Sequence, residues 1–253
     1  MIQFAGRQQQ IQALQDAKAK LDDSSLKNRN LFVGFMAVLL YTLVMTLAIS
    51  DEDLLMNRMS MKLPLIDLGL KPAAWFVVVP SLMLILHADL LHNLDEHLAK
   101  LQRWQAAAVR GRIDARDLQP FFFDFAYARR GQGLIGWLLG WMVWLMAYQL
   151  PLTVFLVVQV RFGAYQNVLV SVLHFALTLI DFALYAYFYR RWWRAQKRPL
   201  PGRRLALAAA LFLLVVATMV SEGEIALGSD WDDNMPWLIP AGFTTFTLLC
   251  ALL

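Results

Sequence analysis

Apolar stretches long enough to cross a membrane alternate with shorter polar stretches along most of the chain. A helix needs about 20 mainly apolar residues to cross roughly 30 Å of hydrocarbon. The stretches near or above that length are residues 31–50, 73–92, 134–160, 167–189, 205–220 and 236–253. The pattern therefore predicts an all-α integral membrane protein, a polytopic bundle of about six transmembrane helices.

The second apolar stretch continues into a polar stretch without a helix breaker. Between Ala73 and Trp104 the only proline is Pro80, and there is no glycine. One helix over this range is about 48 Å long at 1.5 Å per residue, so one end extends beyond the hydrocarbon into the cytoplasm. That end carries four leucines at a spacing that predicts a seam for another helix. This leucine seam consists of Leu91, Leu94, Leu98 and Leu101.

The first 30 residues are mainly polar, with Ile11, Leu14, Ala17 and Leu21 at helical spacing. They predict a cytoplasmic amphipathic segment, residues 1–30, ahead of a transmembrane bundle, residues 31–253. Two interpretations are open, because the segment either packs on the leucine seam or is a frayed tail. Within the bundle, residues 93–133 are predicted to form a cytoplasmic loop and helix, and residues 190–204 a basic linker.

The positions of lysine and arginine predict how the chain is oriented in the membrane. Residues 1–30, 93–133 and 190–204 contain 19 of the 23 lysines and arginines, and the alternate loops contain four. Basic residues are enriched in cytoplasmic segments of membrane proteins. We therefore expect these three segments, and with them the N-terminus, to face the cytoplasm.

Composition excludes several classes of function. The chain is 59% hydrophobic with a pI near 9.3, but its basic residues flank apolar stretches, so nucleic-acid binding is not expected. Cys250 is the single cysteine, which excludes an intrachain disulfide. The sequence contains no P-loop, GxGxxG, HExxH, GxSxG or CxxC motif. No enzyme activity and no cofactor are therefore predicted, and the expected partners are the lipid bilayer and another protein or a second copy of the chain.

Ionisable residues inside predicted spans are candidates for function, because they are costly in hydrocarbon. Five such residues lie in the second and fourth spans: His87, Asp89, His92, His174 and Asp181. Counted from the outer ends of their spans, His87, Asp89 and Asp181 lie at similar depth. If the two helices are neighbours, either His87 pairs with Asp181 or Asp89 pairs on the side of the bundle that carries His174. Such a pair either relays protons or fixes the register of two helices.

Two further patterns bear on packing and on metal binding. Asp89, His92 and Glu96 share one helical face, but no other span offers the matching ligands of a carboxylate-bridged metal site, so no metal is expected. In the third span, Gly136 and Gly140 form a GxxxG pair, a spacing that allows close contact between membrane helices.

Several short motifs resemble the N-terminal membrane region of bacterial pentapeptide-repeat membrane proteins. The motifs are DEDLL at 51–55, LPLIDL at 63–68, Pro80 with the leucine-rich run to His87, FFFDFA at 121–126 and RRG at 129–131. The resemblance covers about residues 31–160 and implies a bacterial inner-membrane protein that anchors a cytoplasmic domain. The pentapeptide repeats themselves are absent from this chain.

The leading hypothesis is a non-enzymatic multi-pass membrane module that anchors and assembles a larger inner-membrane complex. It would use the leucine seam, the aromatic residues at 119–131 and the GxxxG surface. The alternative is a small ion or proton channel, or a pore-forming defence effector, that uses the intramembrane histidines and aspartates. A third hypothesis is a lipid-modifying enzyme with acid–base chemistry at Asp89 and His92.

Overall fold

A computed structural model describes residues 2–50, 52, 56, 61–63, 66–111, 121–128, 133–163 and 167–195. The chain divides into two units between residues 198 and 199, and every described residue belongs to the first. The predicted fifth and sixth spans and most of the basic linker lie outside the described residues.

Long helices dominate the described part of the chain. Four helical stretches are long and apolar enough to cross a membrane: Ile11–Ala48, Pro72–Val109, Gly133–Phe162 and Leu169–Trp192. They coincide with the first four predicted spans. The elements in chain order are α1 (Ile2–Ala48), β1 (Met61–Leu63), β2 (Ile66–Leu70), α2 (Pro72–Gly111), α3 (Phe122–Ala128), α4 (Gly133–Trp144), a π-helical turn (Leu145–Gln149), α5 (Leu150–Gly163) and α6 (Val168–Ala195).

Helix α1 is continuous from the polar N-terminal segment into the first span. One helix thus runs across the boundary that the sequence pattern placed between residues 30 and 31. No proline occurs between Ile2 and Ala48, so the backbone hydrogen-bond ladder is not interrupted at the change from polar to apolar residues. Two helices, α1 and α2, therefore extend beyond the apolar part of the bundle, where one was predicted.

The leucine seam packs against α1 of the same chain. Leu91, Leu94 and Leu98 belong to the main apolar core, and Leu101 packs in a second cluster with Leu21 of α1. Trp104 and Ala108 complete that cluster, with Leu14 and Ala17 packed against it. Of the two interpretations left open for the N-terminal segment, these contacts favour packing on the seam. The seam is consequently buried inside the chain, which corrects the hypothesis that it is a free surface for a partner.

A two-stranded hairpin lies between α1 and α2, and the remaining elements of the described chain are helices, as the sequence predicts. Strands β1 and β2 pair antiparallel, with Met61 opposite Leu70 and Leu63 opposite Ile66. In β2 the apolar residues alternate with others at Ile66, Leu68 and Leu70. This period of two favours an extended strand over a helix.

The GxxxG pair does not make a close contact as a pair within the described chain. Gly136 is buried, whereas Gly140 is exposed and a Cβ atom built on it would meet nothing within 4 Å. Gly133 begins α4 with φ at 65°, a conformation that glycine adopts without strain. Only Gly136 of the pair therefore packs inside the bundle.

Two leucines on α1 form a matched test of the contact between its N-terminal half and α2. Leu21 is fully buried in the second cluster, and Leu26 is 49% exposed. We expect Leu21→Ala to lower the free energy of unfolding by about 2–4 kcal/mol, because it removes buried methyl groups and leaves a cavity. Leu26→Ala is expected to change it by less than about 0.5 kcal/mol. Unfolding in mild detergent, followed by circular dichroism, measures both; equal effects would contradict the packing described above.

Candidate functional site

His87 on α2 and Asp181 on α6 form a fully buried pair in the apolar part of the bundle. His87 Nδ1 lies 2.5 Å from Asp181 Oδ1, and neither side chain is exposed. The ring of Phe35 on α1 stacks on the His87 ring, with centroids 5.4 Å apart. This membrane pair is one of the pairings that the sequence suggested, and it joins α2 to α6 beneath a face of α1.

The other ring nitrogen of His87 contacts a backbone carbonyl in the π-helical turn. His87 Nε2 donates to the carbonyl oxygen of Ala147 at 3.0 Å. In an α-helix that carbonyl would accept from the N–H of residue 151, but Pro151 has none. The π-helical turn ends at Gln149, two residues before Pro151. His87 therefore supplies the hydrogen bond that Pro151 removes.

His174 on α6 has the same relation to the proline of α2. Its Nε2 donates to the carbonyl oxygen of Phe76 at 2.6 Å, and Phe76 lies four residues before Pro80. The rings of Phe76 and Phe162 pack around the His174 ring. Each buried histidine of the membrane region thus donates to a carbonyl that a proline has left without its α-helical donor.

The two carbonyl acceptors determine which ring nitrogen of each histidine carries a hydrogen atom. A carbonyl oxygen only accepts, so Nε2 of both His87 and His174 must be protonated. His87 then shares one further proton with Asp181 across the 2.5 Å contact. A relay through an imidazole ring needs one nitrogen to release a proton while the other takes one up. Nε2 of His87 faces Ala147 O, and a carbonyl oxygen does not pass a proton on. The contacts of the ring therefore offer no onward acceptor for a proton that crosses from Asp181.

Two polar atoms beside the membrane pair have no hydrogen-bond partner within the described part of the chain. They are Asp181 Oδ2 and His174 Nδ1. Both residues lie on α6, seven positions apart and hence on one helical face. Trp75 Nε1 and Gln149 Nε2 are also buried without a hydrogen-bond partner among the described residues, but of these four atoms only the aspartate oxygen and the histidine nitrogen can take up a proton.

The structure does not bring Asp89 and His92 into this region. Both are exposed on α2. Asp89 Oδ1 accepts from Asn93 Nδ2 at 2.9 Å, and His92 lies 3.5 Å from Glu96 with both side chains more than half exposed. Their contacts are with residues four positions along the same helix. The structure thus separates Asp89 and His92 from the buried His87 and Asp181 with which the sequence analysis grouped them.

A second buried histidine–aspartate pair, which the sequence analysis missed, joins α2 to α3. His97 Nε2 lies 2.5 Å from Asp124 Oδ1, and both side chains are fully buried. The second carboxylate oxygen of Asp124 accepts from Ser25 Oγ of α1 at 2.6 Å. The rings of Phe121 and Phe123 lie against the His97 ring. The aromatic residues that suggested a surface patch are therefore partly inside the protein, around this pair.

Ser24 of α1 completes this arrangement on the other side of His97. Ser24 Oγ lies 3.0 Å from His97 Nδ1, 3.2 Å from Lys100 Nζ and 3.4 Å from Asn28 Nδ2. We call the set of Ser24, Ser25, Asn28, His97, Lys100 and Asp124 the cytoplasmic network. Except for the partly buried Lys100, every member is at most 4% exposed.

The sequence did contain a signal for the cytoplasmic network. Ser24 and Asn28 continue the helical spacing of Leu14, Ala17 and Leu21, and His97 stands between the leucines of the seam. Polar residues at positions where apolar ones are expected indicate buried hydrogen bonds. The carboxylate of Asp124 within a run of phenylalanines is a similar signal.

The described residues form a helical bundle that contains four helices long and apolar enough to cross a membrane, with two buried histidine–aspartate pairs inside it. No protein-family model matches the chain, and neither the curated proteins nor the solved structures contain a detectable relative. The buried pairs and their hydrogen bonds are therefore the observations that bear on function.

The relation between Pro80 and His174 can be tested with a double-mutant cycle. We expect His174→Leu to destabilise the protein by about 1–3 kcal/mol, because it leaves the carbonyl of Phe76 buried without a donor. In a Pro80→Ala background the alanine N–H can take over, so the same substitution should cost about 1 kcal/mol less. Unfolding free energies of the four proteins in one detergent give the coupling. Strict additivity would show that the histidine does not replace the hydrogen bond lost at the proline.

Proposed function

We propose that the chain is a multi-pass membrane module that anchors and assembles a larger complex in the bacterial inner membrane, with its N-terminus in the cytoplasm. The observation that carries the proposal is the use of the buried histidines. His87 contacts an aspartate and a proline-released carbonyl on two other elements, and His174 contacts the carbonyl released by Pro80. Such contacts hold helices in one arrangement, as an anchoring module requires. The resemblance to the membrane region of pentapeptide-repeat proteins agrees with this role.

The surface for assembly is best assigned to α4. The leucine seam is buried against α1, and much of the aromatic run is packed around His97. By contrast, α4 exposes large apolar side chains together with Gly140. These side chains are Leu134, Ile135, Trp137, Leu138 and Met142. A helix with small and large apolar residues on its outer face can pack closely against another helix in lipid.

Two open glycines allow this assignment to be tested without disturbing the bundle. Both Gly140 on α4 and Gly34 on α1 have nothing within 4 Å of a built Cβ. Gly140→Leu is expected to reduce association at least fivefold, because it adds bulk where another helix would approach. Gly34→Leu should leave association unchanged. Cross-linking in native membranes and mass measurement in mild detergent give the size of the assembly relative to the 28.9 kDa chain.

Equal association of the Gly140→Leu and Gly34→Leu variants would contradict the assignment of the assembly surface to α4. A protein that remains a single, unpartnered chain in native membranes at its natural abundance would contradict the assembly function itself.

A proton-conducting protein is the second candidate, and the two unpartnered atoms on α6 favour it. A path through Asp181 Oδ2 and His174 Nδ1 would avoid Ala147 O, which closes the route through the His87 ring. The path needs water or a further polar group to connect these atoms, because each has no partner within the described residues.

Proton flux into liposomes separates the two candidates. With a potassium diffusion potential and an internal pH dye, the anchoring proposal predicts no flux above that of empty liposomes. The conducting candidate predicts flux that Asp181→Asn lowers at least tenfold, while Asp89→Asn, at an exposed residue of α2, leaves it unchanged. Flux in the wild type that depends on Asp181 would therefore replace the anchoring function as the leading one.

A further inference from the structure

We propose that Ser24, His97 and Asp124 form a nucleophilic serine site for acyl transfer from carboxylic esters of membrane lipids. This activity goes beyond the anchoring role and uses none of the residues that the role requires in the membrane region. The sequence suggested lipid chemistry at Asp89 and His92, which lie exposed on α2. The present proposal places lipid chemistry in the cytoplasmic network instead.

The hydrogen bonds around Ser24 orient its hydroxyl hydrogen. The Lys100 ammonium and the Asn28 amide nitrogen are donors only, so Ser24 Oγ accepts from both. On the far side of the imidazole, Nε2 donates to the Asp124 carboxylate. In the neutral ring Nδ1 then carries the lone pair, and the Ser24 hydroxyl donates to it at 3.0 Å.

This is the order of contacts that activates a serine. A base accepts the hydroxyl proton, and a carboxylate on the other ring nitrogen holds the tautomer and stabilises the imidazolium that forms. The arrangement is recognised by geometry and roles, whatever the order of residues in the chain. Here the base uses Nδ1 toward the serine and Nε2 toward the aspartate. Ser25, the neighbouring hydroxyl, instead donates to Asp124 Oδ2.

Two donors lie beside the proposed nucleophile. Lys100 Nζ and Asn28 Nδ2 lie 3.2 and 3.4 Å from Ser24 Oγ. As Oγ bonds to the carbonyl carbon, these donors would transfer their hydrogen bonds to the carbonyl oxygen, where negative charge develops. Backbone N–H groups in the middle of α1 are engaged in the helix, so these side chains have to supply the stabilisation. Lys100 is the one member of the cytoplasmic network that is only partly buried, so a substrate would have to reach Ser24 past its side chain.

The position along the helices selects the substrate class. His97 lies five residues beyond His92, where the apolar part of α2 ends, which is about 7.5 Å along a helix. That distance corresponds to the headgroup layer of a bilayer, where the ester groups of phospholipids lie. The ammonium of Lys100 would attract the phosphate of such a lipid.

The reaction balances with water as the second reactant. Ser24 Oγ forms a bond to the ester carbonyl carbon as its proton moves to His97 Nδ1. The bond from that carbon to the alkoxy oxygen then breaks, and the alcohol leaves with the proton from His97. Water attacks the acyl-serine in the same manner, which releases the carboxylic acid and restores the Ser24 hydroxyl.

A fluorophosphonate probe on the purified full chain tests the nucleophile. The expected result is one adduct, located on Ser24 by peptide mass spectrometry and lost in Ser24→Ala. Asp124→Asn should slow labelling at least tenfold with Ser24 still present. The matched control is Ser81, a partly buried helical serine whose hydroxyl donates to Val77 O of its own helix. It should remain unlabelled, and Ser81→Ala should label like the wild type.

Absence of an adduct on Ser24 in folded wild-type protein would overturn the site, as would equal labelling rates in the wild type and Asp124→Asn. To keep the test independent of folding defects, Ser24→Cys is alkylated with iodoacetamide and compared with Ser81→Cys. Faster alkylation at position 24 supports activation by His97, and equal or slower alkylation contradicts it.

Vesicles of phosphatidylethanolamine and phosphatidylglycerol with deuterated acyl chains test the substrate class. Wild-type protein is expected to release deuterated fatty acid at least tenfold faster than Ser24→Ala. Cleavage of the soluble ester p-nitrophenyl butyrate without fatty acid release would overturn the assignment to membrane lipids. Neither outcome bears on assembly, so this proposal and the anchoring function fail or succeed separately.

Discussion

A backbone carbonyl without a donor cannot be left in hydrocarbon, and this constraint organises the membrane region of the bundle. Pro80 and Pro151 each remove one α-helical donor, at Phe76 and Ala147 respectively. In both cases a histidine of a neighbouring helix donates a hydrogen bond to the carbonyl oxygen that lacks its helical donor. Since each hydrogen bond can form only when two helices have the correct register, the same contact that satisfies the backbone also fixes the packing of α2 against α6 and against the π-helical turn.

The same contact determines where the protons of the His87–Asp181 pair lie. With Nε2 committed to Ala147 O, the ring faces Asp181 with its other nitrogen, and the two share one proton across 2.5 Å. Burying such a pair costs desolvation that the attraction between its members only partly offsets. Removing one partner leaves the other unpaired in a medium of low dielectric. The membrane pair therefore favours one arrangement of helices, which supports the proposed anchoring role over the conducting alternative.

Outside the apolar region, α1 and α2 continue together, and polar residues interrupt their apolar contact at one level. Leu21 and Leu101 pack as the spacing of the two segments predicts. Between that cluster and the main core, Ser24 and His97 replace apolar side chains and bond to Asp124 of α3. A polar layer at this position determines which residues face one another, because any shift of register would leave several buried groups without partners.

Hydrophobic pattern alone determined the four apolar helices and the continuity of α2, because period and length are local properties of the chain. The pairing of His87 with Asp181 could also be predicted from the sequence, because the depth of each residue in its span can be counted from the end of that span. Only the tertiary structure decided which proline each histidine compensates. It also decided that His97 contacts Ser24 and Asp124. Those contacts join residues 27 to 98 positions apart, and no local spacing records which helices become neighbours. The burial of the leucine seam has the same cause, because its partner is a segment of the same chain brought alongside by the fold.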